Sequence, residues 1–489
     1  MLNVNDIKIF MDNDAASTKK QLAAVGRRYY EADHDIKNYR IFYVDADGQL
    51  QEDKYKSNIK ISHPFYTELV DQQVQYMLSG KDGFVRSDLP ELQDELDAYF
   101  NENEDFTSEL YEVLTGAISK GFEYMYAYKN TEGKTAFQCA DSIGVIEVRA
   151  KETDDNCEYV IYWYIDRIGK DGKRIKRIEV HDSKQTQFFI QEDDGKIIPD
   201  ASVTPNPRPH IIYTKPGDES TYYDDYGLIP FFRLDNGKKQ FSGLKPIKAL
   251  IDDYDLMSCG LSNNIQDSNE VLYVVKGFEG DNLDELHMNV KNKKLVGIPS
   301  TEGGLEIQTV DIPYQARQAK LELDEKNIYR FGMGFNSAQI GDGNITNIVI
   351  KSRYALLDLK CNKLEIRLKQ FMRKLLKVVL DEINKENGTD YQLKDVYFAF
   401  EREIMTNAAD NAQIELTDAQ RQQVQINTML GLANTLDDET IVQTICDILD
   451  IDYTEIEGKL PKPEEDETAN AKAALTGLVP NDEPGDVIE

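Results

Sequence analysis

Two glycine-containing stretches of this chain have residue types that bind phosphate groups. "EGKT" at 132–135 is similar to the end of a Walker A loop, and "FGMGFNSAQIGDGNIT" at 331–346 places four glycines before a long helical pattern. A Walker A loop requires a glycine where this chain has Tyr128, and a dinucleotide-binding loop requires one where it has Ser337. The first stretch lies between strand patterns and the second between helices, whereas phosphate loops follow a strand and begin a helix. Neither stretch therefore predicts a nucleotide site.

Acid–base and metal chemistry is not predicted either. The pair His181–Asp182 offers two proton-exchanging groups, but its place at a strand end predicts a surface position. "DDYD" at 252–255 lies inside a helical pattern, so its acids are expected on the polar face. "DADG" at 45–48 lacks the third oxygen ligand of a calcium loop and predicts a turn. The five histidines have no HxxxH spacing and the five cysteines no CxxC pair, so we expect reduced, mostly buried thiols, no metal and no cofactor.

Length and charge limit the remaining classes of protein. A chain of 489 residues predicts two to four domains, no apolar run is long enough to span a membrane, and the N-terminus lacks the features of a secretion signal. The net charge of −32 argues against tight DNA binding over most of the surface, because such binding depends on phosphate neutralisation. The acidity is explained either by solubility or by a surface that lies near DNA without adhering to it.

Hydrophobic periodicity predicts a mainly helical α+β fold. Residues 1–130 contain four helical patterns, and from Glu123 onwards the chain reads as antiparallel strands with a hairpin turn at 132–133. Residues 201–240 are expected to be rich in loops. A helix over 246–266 is followed by an α/β insert at 270–312.

The C-terminal half contains the longest predicted element. A helix from Pro313 ends near Gly332, and a second helix of roughly 40 residues then keeps one apolar face over about 60 Å. This long helix is locally basic, and its cations are interpreted first as a solvated or ion-paired face. A short strand and further helices follow, and residues 459–489 form an acidic, proline-containing tail.

The order of these elements resembles the portal proteins of tailed bacteriophages, of the type found in long-tailed phages of Gram-positive hosts. The resemblance runs from about residue 20 to 400 and is carried by "RRYYEADHDI", "HPFYTELVDQQVQYMLSG", "IPFFRLDNGKKQFSGLKPIKALIDDYDLMSCGLSNNIQDSNEVLYVVKGF", "DIPYQARQAKLELDEKNIYRFGMGF" and "KSRYALLDLKCNKLEIRLKQFMRKLL". It implies a ring, expected to be a dodecamer, at one capsid vertex, with a channel for packaging, retention and ejection of double-stranded DNA. Implied partners are the terminase large subunit, head-completion or adaptor proteins, and the major capsid and scaffolding proteins, with assembly in the host cytoplasm and no membrane contact.

The resemblance also implies a division of the chain into parts of the portal fold. These are a wing at 1–245, stem helices at 246–268 and 313–331 flanking a clip at 269–312, a tunnel loop at 332–346, a long wing helix with its return strand at 347–404, a crown at 405–458 and a mobile acidic tail at 459–489.

The tunnel loop is the implied DNA-contacting site. Uncharged side chains suit a channel that centres DNA without holding it, since DNA carries one charge per about 1.7 Å and base-specific contacts of about 1–3 kcal/mol would make each step a barrier. Gly341 and Gly343 are expected to let the loop move, and Asp342 to add mild repulsion. Lys351 and Arg353 are candidate channel-proximal cations. The candidate phosphate contacts are Asn336, Ser337, Gln339, Asn344 and Thr346.

Because no Walker pair is present, ATP hydrolysis is expected in a separate motor, and the chain is not expected to be an enzyme. Two alternatives stay open at this point. One is another structural virion component, such as a minor capsid or adaptor protein, and the other is a cytosolic enzyme with an unrecognised site.

Overall fold

A computed structural model of the chain describes residues 2–45, 47–54, 56–81, 83–151, 157–169, 172–193, 195–214, 220–268, 272–276, 304–308, 313–336, 347–403, 408–432 and 438–449. The chain divides into two compact units. The first comprises residues 1–344 and 349–404, and the second comprises residues 345–348 and 405–489.

The N-terminal part of the first unit is mainly helical, and the four predicted helical patterns are confirmed; a further helix at Val4–Ala15 was not predicted. Helix α5 shows how the local sequence sets its ends: the Asn103 side chain accepts a hydrogen bond from the Phe106 backbone N–H, and Gly121 ends the helix at φ +100°. A Cβ at Gly121 would lie 2.3 Å from the Gln240 carbonyl oxygen, so only glycine fits this turn. The helices are α1 (Val4–Ala15), α2 (Thr18–Tyr30), α3 (Phe65–Met77), α4 (Pro90–Leu96) and α5 (Glu104–Lys120).

The predicted antiparallel meander forms a six-stranded sheet in the order β10-β9-β8-β7-β6, with β11 also paired to β9. A second sheet has the order β14-β4-β5, and its β4–β5 hairpin turns at Gly133 with φ +81°, as predicted. The bounds are β4 (Phe122–Lys129), β5 (Thr135–Ala140), β6 (Val145–Val148), β7 (Tyr159–Ile168), β8 (Arg174–His181), β9 (Gln185–Glu192), β10 (Ile198–Pro199), β11 (Arg208–Pro209) and β14 (Phe231–Asp235).

Residues 201–240 are rich in loops, as predicted, but they also contain strands that the sequence pattern did not indicate. Strand β14 pairs with β4 along its whole length, and alternate residues Phe232 and Leu234 are buried in the main core. Two smaller antiparallel pairs join β1 (Phe42–Val44) to β2 (Leu50–Glu52) and β12 (Ile211–Thr214) to β13 (Thr221–Asp224).

Three long helices complete the first unit: α6 (Lys248–Ser268), α7 (Tyr314–Gly332) and α8 (Asn347–Asn387). Between α6 and α7, the structure has strands β15 (Leu272–Lys276) and β16 (Gly304–Gln308) where strands were predicted, and the two pair antiparallel. The helix and strand predicted over 282–300 lie outside the described residues. After α8, β17 (Val396–Phe398) pairs with β3 (Val85–Ser87).

The predicted apolar face of the long helix is confirmed. Helix α8 has 41 residues, which corresponds to about 60 Å. Its buried side chains join those of α3 and α5 in one hydrophobic core. The buried members of the predicted face are Leu357, Cys361, Leu364, Leu368, Phe371, Leu375, Val379 and Ile383.

The second unit contains two described helices, α9 (Ala408–Gly431) and α10 (Asp438–Leu449). They pack on each other, with Ile441 and Cys446 buried, and the Gln422 side chain donates a hydrogen bond to the Ile448 carbonyl at 3.2 Å. Helices were predicted in this region. The predicted tail at 459–489 lies outside the described residues.

Candidate functional site

The first residues after α7, where the predicted tunnel loop begins, are held by a side chain of α3. The Gln72 amide donates to the Phe335 carbonyl at 2.8 Å and accepts from the Phe335 backbone N–H at 3.3 Å. One side chain thus satisfies both polar backbone groups of Phe335, as a paired strand would. We call the residues that hold this segment the loop anchor, and they are Glu68, Leu69, Gln72, Glu325, Tyr329, Asn336, Tyr354 and Lys360.

Close packing against Leu69 of α3 explains the first two glycines of the loop, Gly332 and Gly334. A Cβ at Gly334 would lie 2.3 Å from a methyl carbon of Leu69, and one at Gly332 would lie 2.6 Å from the other. Leu69 is itself buried in the core, so it has little room to move. Between the glycines, Met333 takes a left-handed conformation with φ +55° and ends α7. These glycines therefore allow close packing against α3, which is a different role from cradling phosphate.

Two acidic side chains, Glu68 and Glu325, also belong to the loop anchor. The Tyr329 hydroxyl donates to Glu68 of α3 at 2.5 Å, and the Asn336 side-chain amide donates to Glu325 of α7 at 2.5 Å. Burial and the hydrogen bond to Glu68 raise the pKa of Tyr329 far above its usual value, so Tyr329 stays a neutral donor. The first contact joins the end of α7 to α3, and the second joins the start of the loop to α7.

Helix α8 holds the same segment from the other side. The Lys360 ammonium donates to the Gly332 carbonyl at 3.0 Å, and the Tyr354 and Phe335 rings lie 4.7 Å apart, centre to centre. Burial lowers the pKa of Lys360 to about 8. The base of the loop is thus fixed by α3, α7 and α8 together.

The lowered pKa of Lys360 predicts a rise in stability at alkaline pH. Between about pH 8 and 10.5 the unfolded chain binds this proton and the folded chain does not, so the free energy of unfolding rises with pH. The difference between the usual pKa of 10.5 and the folded-state pKa of about 8 corresponds to about 3 kcal/mol in the free energy of unfolding. We expect wild type to gain about this amount relative to Lys360→Met between these pH values, measured by urea titration. Lys363→Met, which removes an exposed amine from the same helix, is the control; parallel curves for wild type and Lys360→Met would contradict the assignment.

The structure places only part of the predicted site. Asn336 lies in the loop anchor, Lys351 is exposed on α8 and Arg353 is half-buried there. The remaining predicted loop residues lie outside the described residues, and these are Ser337, Gln339, Gly341, Asp342, Gly343, Asn344 and Thr346.

A histidine–aspartate cluster, missed from the sequence, joins the N-terminal segment to α6. The Asp255 carboxylate lies 2.6 Å from His34 Nδ1 and 2.8 Å from His63 Nδ1, and it accepts from the His63 backbone N–H at 3.0 Å. Asp255 and His34 are fully buried. Burial opposes ionisation of Asp255, but the hydrogen bonds with the two histidines outweigh it and lower the pKa.

The expectation that the acids of 252–255 lie on a polar face is therefore wrong for Asp255. A signal was present in the sequence, since Ile251, Asp255 and Cys259 follow one another at helical spacing and all three are buried. Ser258 Oγ lies 3.4 Å from His63 Nε2, so a hydroxyl, an imidazole and a carboxylate stand in the order of a hydrolase triad. The same carboxylate also contacts His34 and accepts from the His63 backbone N–H, so the cluster ties three chain segments together.

The surface position predicted for His181 is also wrong. His181 is fully buried, its Nδ1 lies 2.9 Å from the Thr186 hydroxyl, and its Nε2 lies 3.3 Å from Glu179. Asp182 instead accepts hydrogen bonds from the backbone N–H groups of Lys184 and Gln185 in the turn after β8. The two side chains differ in setting because β8 ends at His181 and Asp182 is the first residue of the turn that follows.

Within the described ranges, no group of three or more His, Cys, Asp or Glu residues is arranged to hold a metal ion. The five cysteines are free thiols, with Cys259, Cys361 and Cys446 buried, as the sequence predicts. A search of the helices in the described part of the chain finds none with the length and apolarity to cross a membrane.

Comparison with known proteins matches the family described as "Phage portal protein, SPP1 Gp6-like" over residues 12–457. The portal protein of Bacillus phage SPP1 is 26% identical over 393 residues, covering 79% of this chain and 75% of the relative. The portal protein of Clostridium phage phiCD119 is 24% identical over 432 residues, covering 84% and 89%. The chain belongs to the phage portal protein family, whose members are structural components of the virion and not enzymes.

Proposed function

We propose that this chain assembles into a ring of about twelve subunits at one capsid vertex and forms the channel through which double-stranded DNA is packaged, retained and ejected. The ring also serves as the docking platform for the terminase large subunit, head-completion or adaptor proteins, and the major capsid and scaffolding proteins. Membership of the portal family supports this proposal. Assembly takes place in the host cytoplasm, and the hydrolysis of ATP belongs to the separate motor.

The observation that carries the proposal is the loop anchor. Side chains from α3, α7 and α8 fix the base of a segment whose remaining residues are small, polar and mostly uncharged. A firmly held base with uncharged contacts suits a collar that centres DNA, because neutral side chains release few counterions and so bind phosphates weakly. In this proposal residues 332–346 are the tunnel loop, with Lys351 and Arg353 close to the channel.

The proposal divides the rest of the chain accordingly. α6 and α7 are the paired stem helices, and β15 and β16 belong to the clip at 269–312. Residues 1–245 and 347–404 form the wing, residues 405–458 the crown, and residues 459–489 the tail. Support comes from the order of the helices and from the packing of α6 against α7.

Negative-stain microscopy of the purified full chain tests the proposal. We expect rings of about twelve subunits with a central hole, and light scattering should give the mass of about twelve 55.9 kDa chains. A monomer under all salt and concentration conditions would refute the ring. ATP hydrolysis by the purified chain would refute the separate-motor assignment.

A further inference from the structure

The exposed side of α8 carries a continuous stripe of apolar and cationic side chains. Leu356, Leu359 and Ile366 are 41%, 61% and 64% exposed, although the other side of the helix is buried in the core. The stripe residues recur every three or four positions and so lie along one side of the helix. They are Leu356, Leu359, Lys363, Ile366, Gln370, Arg373 and Lys377, all exposed. We call this set the α8 stripe.

The cations of the α8 stripe have no ion-pair partner within the described part of the chain. Lys363, Arg373 and Lys377 form no such pair, and neither does the exposed neighbour Lys374. Lys369, just outside the stripe, differs because it pairs with Glu365 at 2.8 Å. What distinguishes these cations from other exposed lysines is the row of exposed apolar side chains between them, and a surface of this mixed kind suits an acidic and partly apolar partner.

A surface of the opposite charge lies on another part of the same chain. Residues 87–119 contain ten acidic residues and no lysine, arginine or histidine. Among the described residues, none of these acids forms an ion pair. The exposed ones lie on and around α4 and on the first half of α5, and they are Asp88, Glu91, Asp94, Glu102, Glu104, Asp105 and Glu112. We call this set the α4–α5 acidic face; Leu89, 43% exposed, lies within it.

We infer that the α8 stripe of one subunit packs against the α4–α5 acidic face of the next subunit in the ring. This inference rests on the proposed ring and names the surfaces that close it. Two different patches that complement each other give a head-to-tail contact, which closes into a ring when the rotation allows. Single exposed ion pairs contribute little, so the specificity arises from the charge pattern and the affinity from burial of the apolar side chains.

The apolar members of the stripe favour a protein partner over DNA. Leu359 and Ile366 alternate with the cations along the helix, and burying them requires a closely packed surface. Phosphate-contacting surfaces are more polar, and a dense row of cations would retain DNA in a channel that must let it pass. The acidic face of a second copy offers carboxylates to the cations and Leu89 to the apolar side chains.

Charge reversal and charge exchange test the inference on the purified full chain. We expect K363E/R373E/K377E to lower the fraction of chains in rings at least tenfold, measured by light scattering and microscopy. Adding E91K/D94K/E102K to that variant should return the ring fraction to within threefold of wild type. The control K8E/K238E/K239E makes the same change in net charge at exposed lysines elsewhere and should leave rings intact. Circular dichroism confirms that each variant is folded.

Other results of the same experiments would overturn the inference or one part of it. Intact rings in K363E/R373E/K377E, combined with loss of DNA packaging, would overturn the inference and assign the α8 stripe to DNA. Loss of rings that the acidic-face exchange does not restore would overturn the choice of partner surface. L359S/I366S should also lower the ring fraction, and unchanged rings would contradict the apolar contribution. Absence of rings in wild type would instead refute the proposed function, so the two failures are distinguishable.

Discussion

Replacing Asp255 with leucine is expected to lower the free energy of unfolding by about 3–5 kcal/mol, because it removes one partner of a buried ionic cluster. His34 and His63 would lose the carboxylate that binds a ring nitrogen of each, and the His63 backbone N–H would lose its acceptor. The leucine supplies apolar contacts, but it satisfies none of these three groups. Urea titration followed by circular dichroism measures the change.

The matched control for this prediction is Asp253→Leu. Asp253 lies two residues earlier on α6, is 45% exposed and pairs with Lys320 at 2.6 Å. An exposed pair of this kind contributes about 0–1 kcal/mol, so this variant should remain close to wild type. Equal losses in the two variants would show that the histidine–aspartate cluster has no special role.

Adding positive charge to the proposed tunnel loop is expected to lower DNA packaging about 100-fold. The variant S337K/Q339K/N344K would place about 36 cations around the DNA in a ring of about twelve subunits, and each contact with a phosphate releases counterions and holds the DNA more tightly. The measurement is the amount of packaged DNA in phage whose own portal gene is replaced by the variant. High salt should partly restore packaging in vitro, because it weakens phosphate contacts.

The neutral variant S337A/Q339A/N344A is the control and should package DNA within about threefold of wild type, since it adds no charge. Rings of both variants are first compared by microscopy, so that a defect in assembly is separated from a defect in transport. Normal packaging by the lysine variant would show that these residues do not meet the DNA.

The parts of the fold that follow from local pattern were predictable. The apolar face of α8 repeats at helical spacing from Leu357 to Ile383, and these side chains are buried as expected. The β4–β5 hairpin follows from a glycine between two strand patterns, and Gly133 has the positive φ that such a turn requires. Each of these features is fixed by residues close together in the sequence.

The features that were missed depend on residues far apart in the chain. Strand β14 forms by pairing with β4, which lies more than a hundred residues earlier in the chain. Asp255 is buried because two distant histidines bind its carboxylate. The glycines near the loop could be recognised as unusual, but their reason is Leu69 of α3. Periodicity reports which side of a helix is apolar and carries no information about which distant segment covers it.

The contact between Gln72 and Phe335 also has a consequence for the order of synthesis. The two residues are 263 positions apart, so at about 5–20 residues per second the ribosome delivers Phe335 roughly 15–50 s after Gln72. Until then, the Leu69 side of α3 lacks the two glycines, Gly332 and Gly334, that pack against it in the folded chain. The segment that we propose to face the DNA is therefore placed late, after the N-terminal helices that hold it have been made. In the proposed ring, the shape of the channel would then depend on a completely synthesised subunit.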